Sequence, residues 1–306
     1  EMTQLFRAQR TELDEKKPAV FGSMPNDGGH LLLSAEARRE LLAIEPGAAR
    51  YLRPLLGSEE FLNGIERWCL WLVDAAPGDL RHLPAVMRRV EGVRAHRQES
   101  QRTTTRELAD TPTLFGEIRQ PDHDYLAIPS ISSERRRYIP MAFLQANVIA
   151  NNKLLLVPDA GIYHFGVLSS AIHMAWVQIV TGRLESRFQY SNKLVYNNYP
   201  WPAEIDERRR RVVEEAAQAV LAARAPFLRP QKNSTLADLY DPLTMPAPLT
   251  RAHANLDRAV DRCYRVESFR SDRERVEHLF ALYERLAAPL LPATPRRGRS
   301  RQRTND

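Results

Sequence analysis

The chain has 306 residues, 43% of them hydrophobic, with 44 basic against 38 acidic side chains and a pI near 9.5. That length supports a sizeable core, and no run of 18 apolar residues exists, which excludes a membrane-spanning helix. Cys69 and Cys263 lie far apart, which fits a reducing, cytoplasmic compartment and excludes a disulfide scaffold.

The net charge of +6 favours polyanionic partners only weakly, because Pro295–Asp306 alone supplies four of those charges. The first residues, EMTQLFRAQRTELDEKK, are charged throughout and are not expected to act as a signal peptide. Residues 1–20 lack a clear period and are read as a connector from a region further upstream. PNDGGH (residues 25–30) is a turn-rich loop, and Ser34 is the expected cap of a helix that Pro46 ends. GAARYLRPLLG is expected to form a second short helix, and Glu66–Val73 a strand.

From Asp79 to Ser100 the pattern is helical, with Arg88, Arg89, Arg94 and Arg97 expected on a solvated basic face. Residues 100–113 read as irregular. YLAIPSISSERRRYIPMAFL predicts two strands joined by a charged turn. VIANNKLLLVPDA predicts strand, turn and strand, with Asn151 and Asn152 at left-handed positions.

Phe165, Leu168, Ile172, Ala175 and Ile179 recur at steps of three and four, predicting one helix over Tyr163–Val180, with Gly182 as its left-handed cap. In RLESRFQYS, read as a strand, Glu185, Arg187 and Gln189 share one face. A row of Glu, Arg and Gln is the chemistry that reads base edges in a DNA groove, although a polar face on a half-buried sheet explains it more simply. After YNNYPWP, residues 204–224, 250–264 and 271–288 are helical by period. Strands followed by gathered helices argue an α+β fold: a mixed β-sheet domain with packed helices (21–203), then a helical C-terminal subdomain (204–292). The Arg-rich residues 293–306 are expected to be disordered.

No catalytic set is present. Phosphate-binding glycine loops, HExxH, paired CxxC and a GxSxG elbow are all missing from the sequence. His164 and His173 are expected to be packed rather than ligating. NNYPWP (197–202) is superficially similar to the methyl-transfer loop [DNS]PP[YF], but Asn198 and Tyr199 stand where its prolines belong, and it is rejected. The turn Glu134–Arg137 admits two readings, phosphate contact or a solvated ion-paired turn.

The phrases GSMPNDGGHLLL, EFLNGIERWCLWL, PAVMRRVEGVRAHRQES, IPSISSERRRYIP, FGVLSSAIHMAW, GRLESRFQYS and YNNYPWP, in that order, give the chain a further reading. It resembles the C-terminal part of the MmeI-like (type IIL) single-chain restriction–modification enzymes over roughly Phe21 to Tyr264. The resemblance implies a target-recognition domain plus helical segment from a protein whose adenine-N6 methyltransferase lies upstream. It implies base-reading positions at Glu185, Arg187, Gln189, Asn152, Lys153 and, near the IP–SSERR junction, Ser130. Arg135, Arg136, Arg137 and Arg183 are the expected phosphate contacts. No cofactor is expected in this chain, while S-adenosylmethionine is implied for the parent methyltransferase, for which endonuclease activity is left open. Double-stranded DNA and a methyltransferase domain or subunit are the implied partners. The competing expectation is a protein-interaction module that docks a methyltransferase subunit without reading bases.

Overall fold

The computed structural model describes residues 18–203, 205–228 and 234–287. Most of the expected upstream connector, and the Arg-rich tail, lie outside the described residues. The strands are β1 (Val20–Phe21), β2 (Leu32–Ser34), β3 (Leu52–Leu56), β4 (Arg67–Leu70), β5 (Tyr125–Pro129), β6 (Ile131–Ser132), β7 (Ala142–Leu144), β8 (Ile149–Ala150), β9 (Leu154–Pro158), β10 (Gly182–Leu184) and β11 (Arg187–Gln189). They form three sheets. One has the order β1-β9-β5-β7 and is antiparallel throughout. A second, β2-β4-β3-β8, is mixed because β3 and β8 run parallel. The third is the antiparallel ribbon β10-β11-β6.

The helices that matter for packing are α1 (Ala35–Ile44), α2 (Ser58–Asn63), α3 (Pro84–Gln98), α4 (Ile162–Leu168), α5 (Ala171–Val180), α6 (Glu207–Arg224), α7 (Ala247–Tyr264) and α8 (Asp272–Ala287). The architecture is α+β, as the sequence predicts. Ser34 caps α1 through its Oγ, which accepts from the Ala37 amide at 3.1 Å.

The larger core joins β5 and β9 to α4, α5, α6 and α7. Every residue from Tyr163 to Val177 is buried, so α4 and most of α5 are enclosed on all sides and lie at the centre of the larger core. At Gly166 the backbone of α4 nearly touches α6: a Cβ there would stand 2.9 Å from Val213 and 3.1 Å from Ala217. The smaller core packs α1 and α3 against the mixed sheet.

Several expectations are corrected. GAARYLRPLLG is a 3-10 turn over Pro46–Tyr51 followed by β3, because pairing with β4 sets Leu52 opposite Leu70 and buries both. Residues 100–113 contain a short helix, Thr103–Glu107, and a 3-10 turn, Leu108–Asp110. The single long helix is two, broken at Ser169–Ser170. Ser170 is extended and its Oγ donates to Val167 O at 2.6 Å, while Asp257 of α7 accepts from the Ala171 amide at 2.8 Å and so caps α5. Ile179 is not core; it is 59% exposed. Gly182 is no left-handed cap, since α5 ends at an extended Thr181 and Gly182 starts a strand. The left-handed residues near these segments are Asp159 and Glu185, not Asn151 or Asn152. Arg97 leaves the solvated face and is fully buried.

Among the packed groups are two neutral histidines. His173 Nε2 meets the Tyr190 hydroxyl at 2.9 Å and His253 Nε2 meets that of Tyr240 at 3.0 Å. Burial holds both imidazoles down to about 3, from an ordinary 6.5, with Arg224 adding to the effect at His253. The unfolded chain takes up these protons below 6.5 and the folded chain does not. Their contribution is therefore complete above that pH and lost as pH falls towards 3, at about 1.4 kcal/mol per pH unit per histidine. Asp257, raised by burial against the hydrogen bonds from Tyr138 and Ala171, works in the opposite sense. The difference in urea-derived stability between wild type and His173→Gln, followed from pH 7 to 5, isolates one histidine. The variant is expected to lose less on acidification, and parallel profiles would contradict a neutral buried His173.

Candidate nucleic-acid interface

The stretch GRLESRFQ is a tight hairpin rather than one strand. Leu184 pairs with Arg187, Arg183 with Phe188 and Gly182 with Gln189, leaving Glu185 and Ser186 as a two-residue turn. Such a turn requires a positive φ, and Glu185 adopts it at 58°. Directly paired residues share a face. Leu184, Arg187 and Gln189 therefore point outwards, all exposed, and Phe188 points into the core with the Arg183 guanidinium 4.2 Å over its ring. Arg183 also donates to the Ser186 carbonyl at 3.1 Å, bracing the turn.

Glu185 thus leaves the row of three that a continuous strand would have made, and reaches Arg187 from the turn. Its Oε2 accepts from Arg187 Nη2 at 2.8 Å. An exposed ion pair of this kind contributes little stability. It brings the carboxylate at the turn to the guanidinium on the outer face.

Long-range pairing brings the other expected readers to this ribbon. β11 pairs with β6, which sets Gln189 opposite Ile131, and the Tyr190 amide donates to Ser130 O at 2.8 Å. On its other side the Ser130 amide donates to Lys153 O at 3.0 Å. The turn carrying Asn152 and Lys153 is closed by Asn151, whose Oδ1 accepts from the Lys153 amide at 2.8 Å. Lys153 is exposed and Asn152 half-buried. Ser130 itself is only 7% exposed, and its place is that of a joint between β5 and the ribbon rather than a presented side chain.

Ser58, at the start of α2, was not picked out by the sequence. Its hydroxyl donates to Lys153 O and accepts from the Ser130 amide, tying both segments to a third. No local signal marks it, because its partner Lys153 is 95 residues away.

The basic turn divides its arginines. Arg135 is exposed. Arg136 is half-buried, with Nη1 3.4 Å from Ser132 Oγ; burial lowers its pKa and the charge of Asp241 opposes that. Arg137 is exposed but leans 3.9 Å from the buried Asp257 carboxylate. Glu134 is held below the usual carboxylate range by its own backbone amide and by Ser186, with Arg135 and Arg183 nearby. That contact puts the basic turn against the tip of the hairpin. Arg135 therefore stands near the tip of the hairpin, Arg183 lies on the Phe188 face of the ribbon, and Arg136 is half-buried.

Two clefts among the described residues bear on where S-adenosylmethionine could sit. One cleft of about 330 Å³ is lined by Arg137, Asp257, Asp261, Glu267, Phe269 and Arg275, and its Asp257 and Asp261 carboxylates accept from protein donors. Another of about 400 Å³ lies between α1 and α3, beside Ile44, Arg88 and Arg89. Neither pairs a glycine-rich turn with a carboxylate that would hold a ribose. Among the described residues no group of His, Cys, Asp and Glu could hold a metal ion, and no helix is long and apolar enough to cross a membrane.

A polar, Arg-bearing ribbon held out from two packed sheets, with a basic turn at its tip, is the arrangement of a target-recognition module. Residues 3–203 match the family model described as MmeI, target recognition domain, and residues 205–291 match MmeI, C-terminal domain; the chain belongs to the MmeI family. It is 40% identical over 266 residues to DNA methyltransferase A of Bacillus subtilis (strain 168), covering 87% of this chain and 30% of that protein. It is similar, at a TM-score of 0.85 and 41% identity, to the type IIL restriction–modification enzyme MmeI solved in complex with DNA. That match covers 89% of this chain and 36% of the other. The chain thus spans about a third of the length of these relatives.

Proposed function

We propose that the chain recognises a specific double-stranded DNA sequence on behalf of an S-adenosylmethionine-dependent adenine-N6 methyltransferase of restriction–modification type, acting in the cytoplasm. Residues 21–203 are the recognition domain and 204–292 its helical support. The observation that carries this reading is the hairpin face, where Arg187 and Gln189 stand side by side beside Lys153 and a basic turn. A two-stranded ribbon fits the major groove of B-DNA. There Arg187 can donate bidentately to guanine O6 and N7 while Glu185 accepts from the N4 amine of the paired cytosine, and Gln189 or Asn152 can read adenine in the same two-bonded manner. The methyl transfer itself requires an extruded adenine, and this module would hold the flanking duplex while the base is out of the stack. The cofactor supplies the methyl group and is held by residues outside this chain.

Methylome sequencing of a host expressing the full-length gene tests the assignment, because a modified adenine in a fixed motif is expected and random or absent methylation would overturn it. Phosphate contact is tested separately. Arg135→Ala is expected to weaken binding evenly on cognate and scrambled duplexes and to reduce the slope of log K against log salt by about 1. A loss confined to the cognate duplex would make Arg135 a base reader instead.

A further inference from the structure

We propose that Ser58 is a positioning residue for DNA reading, which holds the Asn152–Lys153 turn at a fixed offset from the hairpin carrying Arg187 and Gln189. The inference rests on the reading above, that both segments contact base edges.

The turn from Asn151 to Lys153 crosses between two sheets. It leaves β8, at the edge of the mixed sheet, and enters β9 of the antiparallel one. Its first residue is boxed in by backbone. The Asn151 amide donates to Leu56 O at 2.8 Å, a Cβ on Gly22 would collide with Asn151 O, and a Cβ on Gly57 would stand 2.7 Å from Asn151 Nδ2. Its last residue depends on Ser58. Lys153 O accepts from the Ser58 hydroxyl and, at 3.0 Å, from the Ser130 amide, which also donates to Ser58 Oγ at 3.1 Å. The hydroxyl therefore closes a three-way junction between the end of β3, the end of β5 and the reading turn. The hairpin is one bond further on, since Ser130 O accepts from the amide of Tyr190, the residue after Gln189.

A serine at a helix start commonly caps its own helix, and Ser58 does not. The cap of α2 is Gly57, whose amide is satisfied by Glu60 Oε2 at 2.9 Å. Both bonds of the Ser58 hydroxyl go instead to segments 95 and 72 residues away in the chain. Base-edge contacts need their side chains held to within about 0.5 Å, so a junction beneath the turn is felt at the groove. The hairpin is secured separately, by Thr181 Oγ1 donating to Gln189 O at 2.6 Å and by the pairing of β11 with β6. Loss of the Ser58 hydroxyl should accordingly loosen one reading segment and spare the other.

Binding of the full chain to duplexes carrying each single-base change of its motif gives a preference at every position. Asn152→Ala and Lys153→Ala assign the positions that the turn reads. Ser58→Ala is expected to lower the preference at those positions about two- to tenfold, the worth of one hydrogen bond, and to leave that at the Arg187 base pair unchanged. Ser58→Thr keeps the hydroxyl and is expected to restore the lost preference, with thermal melting as the check that each variant is folded. A folded Ser58→Ala that loses preference equally at every position, or at none, would overturn the positioning role and leave the groove reading intact. So would a folded Ser58→Thr as impaired as the alanine variant. If neither Asn152→Ala nor Lys153→Ala changes any preference, the turn reads no base and this inference falls while that for Arg187 stands. A wild-type chain with no preference at any position would overturn the groove reading and this inference with it.

Discussion

Arg97→Ala is expected to cost about 3–5 kcal/mol of folding stability, the range for removing one side of a buried charged network. All five guanidinium N–H groups are used. Nε donates to Asn26 O at 2.9 Å, Nη1 to Leu108 O and Thr111 O at 2.9 Å, and Nη2 to Pro25 O at 3.1 Å and Leu114 O at 2.7 Å. One side chain therefore fastens the 25–26 loop to the segment 108–114, beside the backbone bonds that Pro25 O and Met24 make to Gly116 and Glu117. Burial lowers the Arg97 pKa and Asp27 works against that, so carbonyl dipoles supply most of the compensation for the charge. Alanine leaves those acceptors without a donor at about 1–3 kcal/mol for each that water cannot reach. Arg97→Lys is expected to recover little, because a single ammonium with three donors cannot span five acceptors in a planar fork. Urea denaturation measures both variants. A loss below about 1 kcal/mol for alanine would show that loop water replaces the guanidinium. The hairpin belongs to the other core, so the folded fraction of either variant should keep the wild-type DNA preference.

Arg97 also shows where the sequence was readable and where it was misread. Val86, Val90, Val93 and Arg97 follow steps of four, three and four, so the residue continues the buried stripe of α3. Periodicity alone therefore points inwards; the charge made the solvated reading attractive. Helices with a clear apolar stripe, such as α1, α3, α6, α7 and α8, lie within about five residues of their expected spans. The break at Ser169–Ser170 was illegible because apolar periodicity runs on across it, and the capping carboxylate of Asp257 comes from 86 residues away. The hairpin was illegible for a different reason: Glu-Ser is not a dipeptide that favours a two-residue turn, whereas Asn-Gly or Gly-Ser would have announced one. Of the interface, residue chemistry singled out Glu185, Arg187 and Gln189, and the family resemblance added Ser130, Asn152 and Lys153. Their convergence depends on β6 pairing with β11 and on Ser58 bridging to Lys153, contacts that have no local signature.

Arg187→Ala is expected to abolish discrimination at one base pair, a loss of about 1–3 kcal/mol or roughly five- to 150-fold between the cognate duplex and its single-base variant. Affinity for scrambled DNA should hardly change, which separates this variant from Arg135→Ala. The left-handed Glu185 allows a sharper experiment on the same pair. A non-glycine residue at φ 58° costs about 1–2 kcal/mol, and such strain persists where the surroundings, here a closed hairpin, impose it. Glu185→Gly relieves the strain while deleting the carboxylate that orients Arg187. Since glycine also enlarges the entropy of the unfolded chain, stability is expected to stay within about 1 kcal/mol of wild type. Discrimination at the Arg187 base pair should nevertheless fall, because the guanidinium loses its 2.8 Å partner and any cytosine contact goes with it. Competition binding with the four single-base variants measures each protein. If the two residues act on one base pair, the double variant loses no more than Arg187→Ala alone, and additive losses at two different positions would assign them to separate bases. On that expectation a glutamate stands where glycine would be less strained because its carboxylate serves the same contact, and full discrimination in Glu185→Gly would remove the explanation.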